Sequence, residues 1–197
     1  MKRRTSLKLL LAAPFAAGFS FKSSDVRKAS DVLRASSAGG EAYAPVFFTA
    51  HEYETVKTLA DLILPADERS VSATEAGVPD FIDFMVSDNP DMQTPMRGGL
   101  SWIDMQSRKR FGVFFYEAAE AQQKALLDDI AYPEVAAPEM SHGVAFFNSF
   151  RDLTASGFWS SQVGVEDLQY MGNTFVHEWT GCPPEALRKL GVSYDDG

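Results

Sequence analysis

One cysteine and three histidines in 197 residues remove several kinds of chemistry at the outset. Cys182 has no intrachain partner for a disulfide, so the folded part must be held by packing, by a partner, or by both. Cys182 itself is expected to be a small buried thiol, a bridge to another subunit being the alternative. Without a CxxC pair, the ligands for an iron–sulfur cluster or covalently attached haem are missing. His177-Glu178 lacks the second histidine four residues along that a zinc helix requires. His51 and His142 each stand alone; His51 is read as solvent-facing in a helix's first turn, and His142 as part of a loop or helix start. No GxGxxG follows a strand, and neither GxxxxGK(S/T) nor GxSxG occurs. Asp128-Asp129 is a pair only along the chain, because neighbours on a helix point about 100° apart. It is read as a solvated face, and Asp195-Asp196 as tail. The expected set of catalytic, cofactor-binding and metal-ligating residues is therefore none.

Positive charge is also scarce. Lys and Arg number 18 against 27 Asp and Glu, a net −9. Four of the 18, Lys2, Arg3, Arg4 and Lys8, sit in the first eight residues; without them the balance is 14 against 27, or −13. Such a surface repels phosphate backbones and anionic lipid, so no nucleic-acid partner is expected. Core material, by contrast, is plentiful. Hydrophobic residues make up 45% and aromatics 12%, enough for one packed domain.

The N-terminus reads as an address. Arg3 and Arg4 precede Ser6-Leu7-Lys8 and a short apolar run from Leu9 to Phe21, the layout of a twin-arginine export signal. Ser6 departs from the usual pattern, where a phenylalanine is common. An ordinary secretory leader with two arginines is the alternative. The run is shorter than the roughly 20 apolar residues of a membrane span. Small residues at Ala16-Ala17-Gly18 and at Gly18-Phe19-Ser20 both suit cleavage. The twin-arginine translocase moves folded proteins, mainly those that must acquire a cofactor or partner before export. The expected organisation is a signal over 1–21, a flexible linker over 22–44 with a short helical piece around Asp25 to Arg34, and a domain over 45–197.

No stretch alternates apolar and polar residues as a half-buried strand would. The domain reads as all-α, an irregular bundle of about five or six helices. Thr49 and Glu52 form a capping box ahead of Val56, Leu59, Ala60, Leu62 and Ile63, and Pro65 stops that helix. Pro79 suits the first turn of a second helix, where Asp80 and Asp83 favour the positive end of the dipole. Asn89-Pro90 breaks it. A third helix is expected from about Pro95 to Arg110, with Gly98-Gly99 as a kink or tight packing point. Further helices are expected over Glu117 to Ile130, Ser141 to Ala155, a turn at Val165 to Tyr170, and a last one from Pro183-Pro184-Glu185 to Gly191.

Several stretches resemble the gluconate 2-dehydrogenase subunit 3 family. They are Leu59-Ala60-Asp61-Leu62-Ile63-Leu64-Pro65, Ala76-Gly77-Val78-Pro79-Asp80-Phe81-Ile82-Asp83, Gly99-Leu100 with Trp102-Ile103-Asp104, and Phe146-Phe147 with Phe150 to Thr154. The most specific run from Ser156-Gly157-Phe158-Trp159-Ser160-Ser161 to Gly164, Tyr170-Met171-Gly172-Asn173 and Trp179-Thr180-Gly181-Cys182-Pro183. The resemblance spans Phe48 to Val192. It implies a non-catalytic small subunit of a periplasmic dehydrogenase. In such complexes a large flavoprotein of the glucose–methanol–choline oxidoreductase type holds FAD and oxidises a sugar, sugar acid or glycoside. A cytochrome c subunit commonly takes the electrons onward. The small subunit lends its twin-arginine leader to a large subunit without one, and stabilises it afterwards. Phe158, Trp159, Tyr170, Asn173 and Trp179 then become candidate interface residues, with filling of the domain's own core as the plainer role. The rival is a self-sufficient periplasmic helical ligand-binding protein or small enzyme.

Overall fold

The computed structural model describes residues 43–169 and 181–194, with 22, 24–29, 31, 175, 177 and 178 besides. The expected leader, with Arg3 and Arg4, lies outside the described residues, as do Tyr170, Asn173 and Trp179. Among the described residues there is no strand, and six α-helices have seven or more residues. The all-α expectation and its helix number hold. No described helix is long and apolar enough to cross a membrane.

Helix α1 (Ala50–Ile63) starts on the capping box: the Glu52 amide donates to Thr49 Oγ1 at 3.3 Å and the Thr49 amide to Glu52 Oε2 at 2.8 Å. Helix α2 (Val78–Asp88) follows Gly77, whose φ of 79° is left-handed backbone that favours glycine. Helix α3 (Pro90–Phe111) begins five residues before the expected Pro95, which lies inside it. Pro90 at the first turn lacks only an amide that would be unpaired anyway. Asp91 and Pro95 are both exposed, so the carbonyl left unpaired by Pro95 faces water. Helix α4 (Glu120–Ala131) and helix α5 (Ser141–Ser160) come next, then a short α6 (Gln162–Asp167) and α7 (Pro184–Leu190). Single 3-10 turns at Phe115–Glu117 and Pro138–Met140 join α3 to α4 and α4 to α5.

Helix α5 is the centre of the bundle, packed against α1, α2, α3, α4 and α6. Its Phe150 and Leu153 are fully buried, each contributing about 1.5–3 kcal/mol by leaving water. Close approach is secured by missing side chains. A Cβ on Gly99 of α3 would fall within 1.9 Å of the Phe146 ring, so Gly99 is a packing point, whereas Gly98 faces open space. Gly157 plays the same part toward Phe81 of α2. This is why α5 continues past its expected end at Ala155. Gly157 accommodates a ring there and does not break the helix. The stop comes at Ser161, whose Oγ donates to the Phe158 carbonyl at 2.7 Å and accepts the Gly164 amide at 3.0 Å, closing α5 and opening α6.

The 22–44 segment read as a linker takes part in packing at both ends. Residues 24–29 are helical, Ala29 is fully buried, and Lys28 pairs with Asp88 of α2 at 2.8 Å. At the other end Tyr43 is tied to α2 through Asp83.

Candidate functional site

An open groove of about 670 Å³ lies between the start of α1 and the second half of α3, closed at one end by the loop after Gly112. Leu100 forms part of its floor, Met105 and Phe114 its apolar wall, and Arg108 and Lys109 its basic rim. The wall is organised by one histidine–carboxylate hydrogen bond. His51 Nε2 donates to Asp104 Oδ2 at 2.5 Å, and Asp104 Oδ1 accepts the Phe115 amide at 3.0 Å. The imidazole meets the Phe114 and Tyr116 rings edge-on, at centroid distances of 4.6 and 5.2 Å. Asp104 thus fastens α1, α3 and the following loop together. The Arg108 guanidinium lies 5.2 Å above the Phe114 ring, a cation–π distance.

His51 was expected to face solvent alone; it is instead half-buried and partnered. Its partner is 53 residues away, so no local pattern announces it. Chemically, a carboxylate-oriented imidazole can accept or donate a proton. The Thr49 hydroxyl, which also lines the groove, already accepts the cap hydrogen bond of the Glu52 amide.

A second polar cluster sits on α2. Asp83, expected to favour the positive end of the helix dipole, is fully buried. It accepts the amides of Val46, Phe47 and Phe48 at 2.7, 3.1 and 2.8 Å, and the Tyr43 hydroxyl at 2.8 Å. One turn earlier, Asp80 accepts the Tyr53 hydroxyl. Burial raises the Asp80 carboxyl above its ordinary value; the Tyr53 bond opposes the shift and the Asp83 charge adds to it. Burial likewise lifts the Tyr43 and Tyr53 phenols well above the usual range, aided by their hydrogen bonds to Asp83 and Asp80 respectively. This cluster clamps the entering chain to α2.

Of the candidate interface residues within the described set, Phe158 is 3% exposed and belongs to the domain's own core. Trp159 is 37% exposed and packs edge-on against Phe158 at 4.8 Å. The helix holds both in its last turn, beyond its expected end at Ala155, and only Trp159 offers a face to a partner. Cys182, expected buried, is exposed. Asp128 and Asp129 are exposed as expected, Asp129 pairing with Arg110 at 2.5 Å. Among the described residues no three His, Cys, Asp or Glu side chains converge to hold a metal ion.

The profile of one protein family, gluconate 2-dehydrogenase subunit 3, matches residues 50–178, well over half of the chain. The chain belongs to that family. The match opens at the first residue of α1 and takes in α2 to α6, the groove apart from Thr49, and Asp80 and Asp83 of the clamp, while Tyr43 to Phe48 lie before it. It ends one residue before Trp179, so the stretch from Trp179 to Pro183 lies beyond it. Neither a curated protein nor a solved structure matches significantly. This subunit 3 protein is accordingly named by its family as one subunit of a dehydrogenase.

Proposed function

We propose that this subunit 3 protein is a non-catalytic companion of a periplasmic, FAD-dependent sugar, gluconate or glycoside dehydrogenase. It carries the flavoprotein subunit across the membrane on its twin-arginine leader and stabilises it afterwards. FAD resides in the large subunit, and a cytochrome c subunit is the natural electron acceptor for the assembly. The observation that carries this reading is the family match over residues 50–178, joined to Arg3-Arg4 ahead of a short apolar run. The absence of phosphate-binding glycine motifs from the sequence and the strong acidity fit a protein partner better than a nucleotide or nucleic acid.

One observation favours the rival reading of a self-sufficient binder or small enzyme: the groove with its His51–Asp104 pair. The two readings separate on purification. Tagged native chain drawn from its host should bring down a yellow, flavin-bearing protein in stoichiometric amount. Turnover of a sugar by the isolated chain, with no flavoprotein present, would favour the rival.

A further inference from the structure

We propose that the groove between α1 and the second half of α3 is the docking site for an acidic, apolar segment of the flavoprotein subunit. This rests on the companion role proposed above and adds where contact is made and what chemistry makes it.

Charge argues first. The protein is strongly acidic, yet Arg108 and Lys109 stand exposed on the groove rim, and among the described residues neither has a carboxylate partner. Their neighbours are committed: Arg110 to Asp129 at 2.5 Å, and Arg97 to Glu52 at 3.3 Å. Basic residues in a last helical turn complement the helix dipole, which accounts for their presence but not for what lies beside them. Met105, one turn back from Lys109, is 54% exposed, Val113 just beyond the helix is 36% exposed, and Phe114 walls the groove. An apolar strip edged by uncommitted cations is the complement of a segment carrying apolar side chains and carboxylates. Arg108, already set over the Phe114 ring, presents a planar fork suited to a carboxylate. The net negative charge of the chain steers an acidic segment toward exposed cations, and at the groove these edge an apolar wall while the groove's own carboxylates, Glu52 and Asp104, are already paired with Arg97 and His51.

The test uses the full chain co-expressed with the host's flavoprotein subunit. A photo-crosslinking phenylalanine replaces Met105, and the crosslinked peptide is mapped by mass spectrometry. It should come from the flavoprotein and contain Asp or Glu beside apolar residues. Arg108→Glu with Lys109→Glu should weaken the complex by about tenfold or more. Lys substituted for the acids found in the crosslinked peptide should restore it. Arg188→Glu with Lys189→Glu, on the exposed α7, is the control and should leave binding unchanged. Met105→Lys, at an exposed position, tests the apolar half and should also weaken binding; the melting temperature of each variant checks folding. A complex of wild-type strength in the folded groove variants overturns the docking site and leaves the companion role standing. So does a crosslink to a lipid or to another copy of this chain, with the flavoprotein bound elsewhere. Failure of the wild-type chain to bind any flavoprotein removes both.

Discussion

Removing the Asp83 carboxylate should cost more stability than any exposed substitution, and the structure allows the amount to be worked out. Asp83→Ala deletes the acceptor of four hydrogen bonds. The Phe48 amide is stranded in a buried position, at about 1–3 kcal/mol. The Val46 and Phe47 amides are partly accessible and recover water, so each loses about 0.5–1.5 kcal/mol. Loss of the Asp83 charge works the other way, because it relieves repulsion with Asp80. The net expectation is about 2–4 kcal/mol of destabilisation. For a chain of this size that lowers Tm by roughly 5–15 °C. Asp83→Asn keeps one acceptor oxygen and should lose about half as much; Tyr43→Phe should lose about 1 kcal/mol. Urea and thermal unfolding followed by circular dichroism measure all three. An Asp83→Ala protein within about 0.5 kcal/mol of wild type would refute the clamp.

Three further outcomes follow from the same contacts. Gly98→Ala fills open space on a helix and should stabilise by about 0.5–1 kcal/mol. Gly99→Ala pushes α3 off the Phe146 ring and should destabilise by about 1–3 kcal/mol despite alanine's helix preference; equal effects in urea unfolding would contradict the packing. Asp80 has a raised folded pKa, so the folded state binds the extra proton and stability falls as pH rises from the ordinary carboxylate value through the folded one. Asp80→Asn should flatten that part of the stability–pH curve, and an unchanged slope would count against burial as its cause. The raised phenols of Tyr43 and Tyr53 give stability that is present below the unfolded tyrosine pKa of about 10 and lost above it. Ultraviolet titration should therefore show these two ionising only as the protein unfolds in alkali.

Two helix starts are legible because their causes are local. Thr49 with Glu52, and Pro79 after Gly77, act within one turn of chain. The end of α5 was not, because Gly157 reads as a break until the Phe81 ring from another helix is placed against it. Likewise α3 starts five residues ahead of the expected Pro95, which looks like a boundary until the exposure of its turn shows that the lost hydrogen bond is tolerated. The groove was invisible for a different reason. His51 and Asp104 meet across 53 residues, and Asp83 is reached by amides 35 to 37 residues before it. Polar contacts at that separation leave no periodicity behind. The family, by contrast, was readable from glycines and aromatics that the structure explains: Gly99 and Gly157 are close approaches, and Phe81 and Phe146 are the rings they admit.

Export of the flavoprotein tests the companion role most directly. The flavoprotein subunit is expressed with this chain in its natural form, and again with Arg3→Lys and Arg4→Lys, and dehydrogenase activity is assayed in the periplasmic fraction. Activity should reach the periplasm with the natural leader and remain in the cytoplasm with the altered one. Equal periplasmic activity from both, or from the flavoprotein expressed alone, would contradict the account.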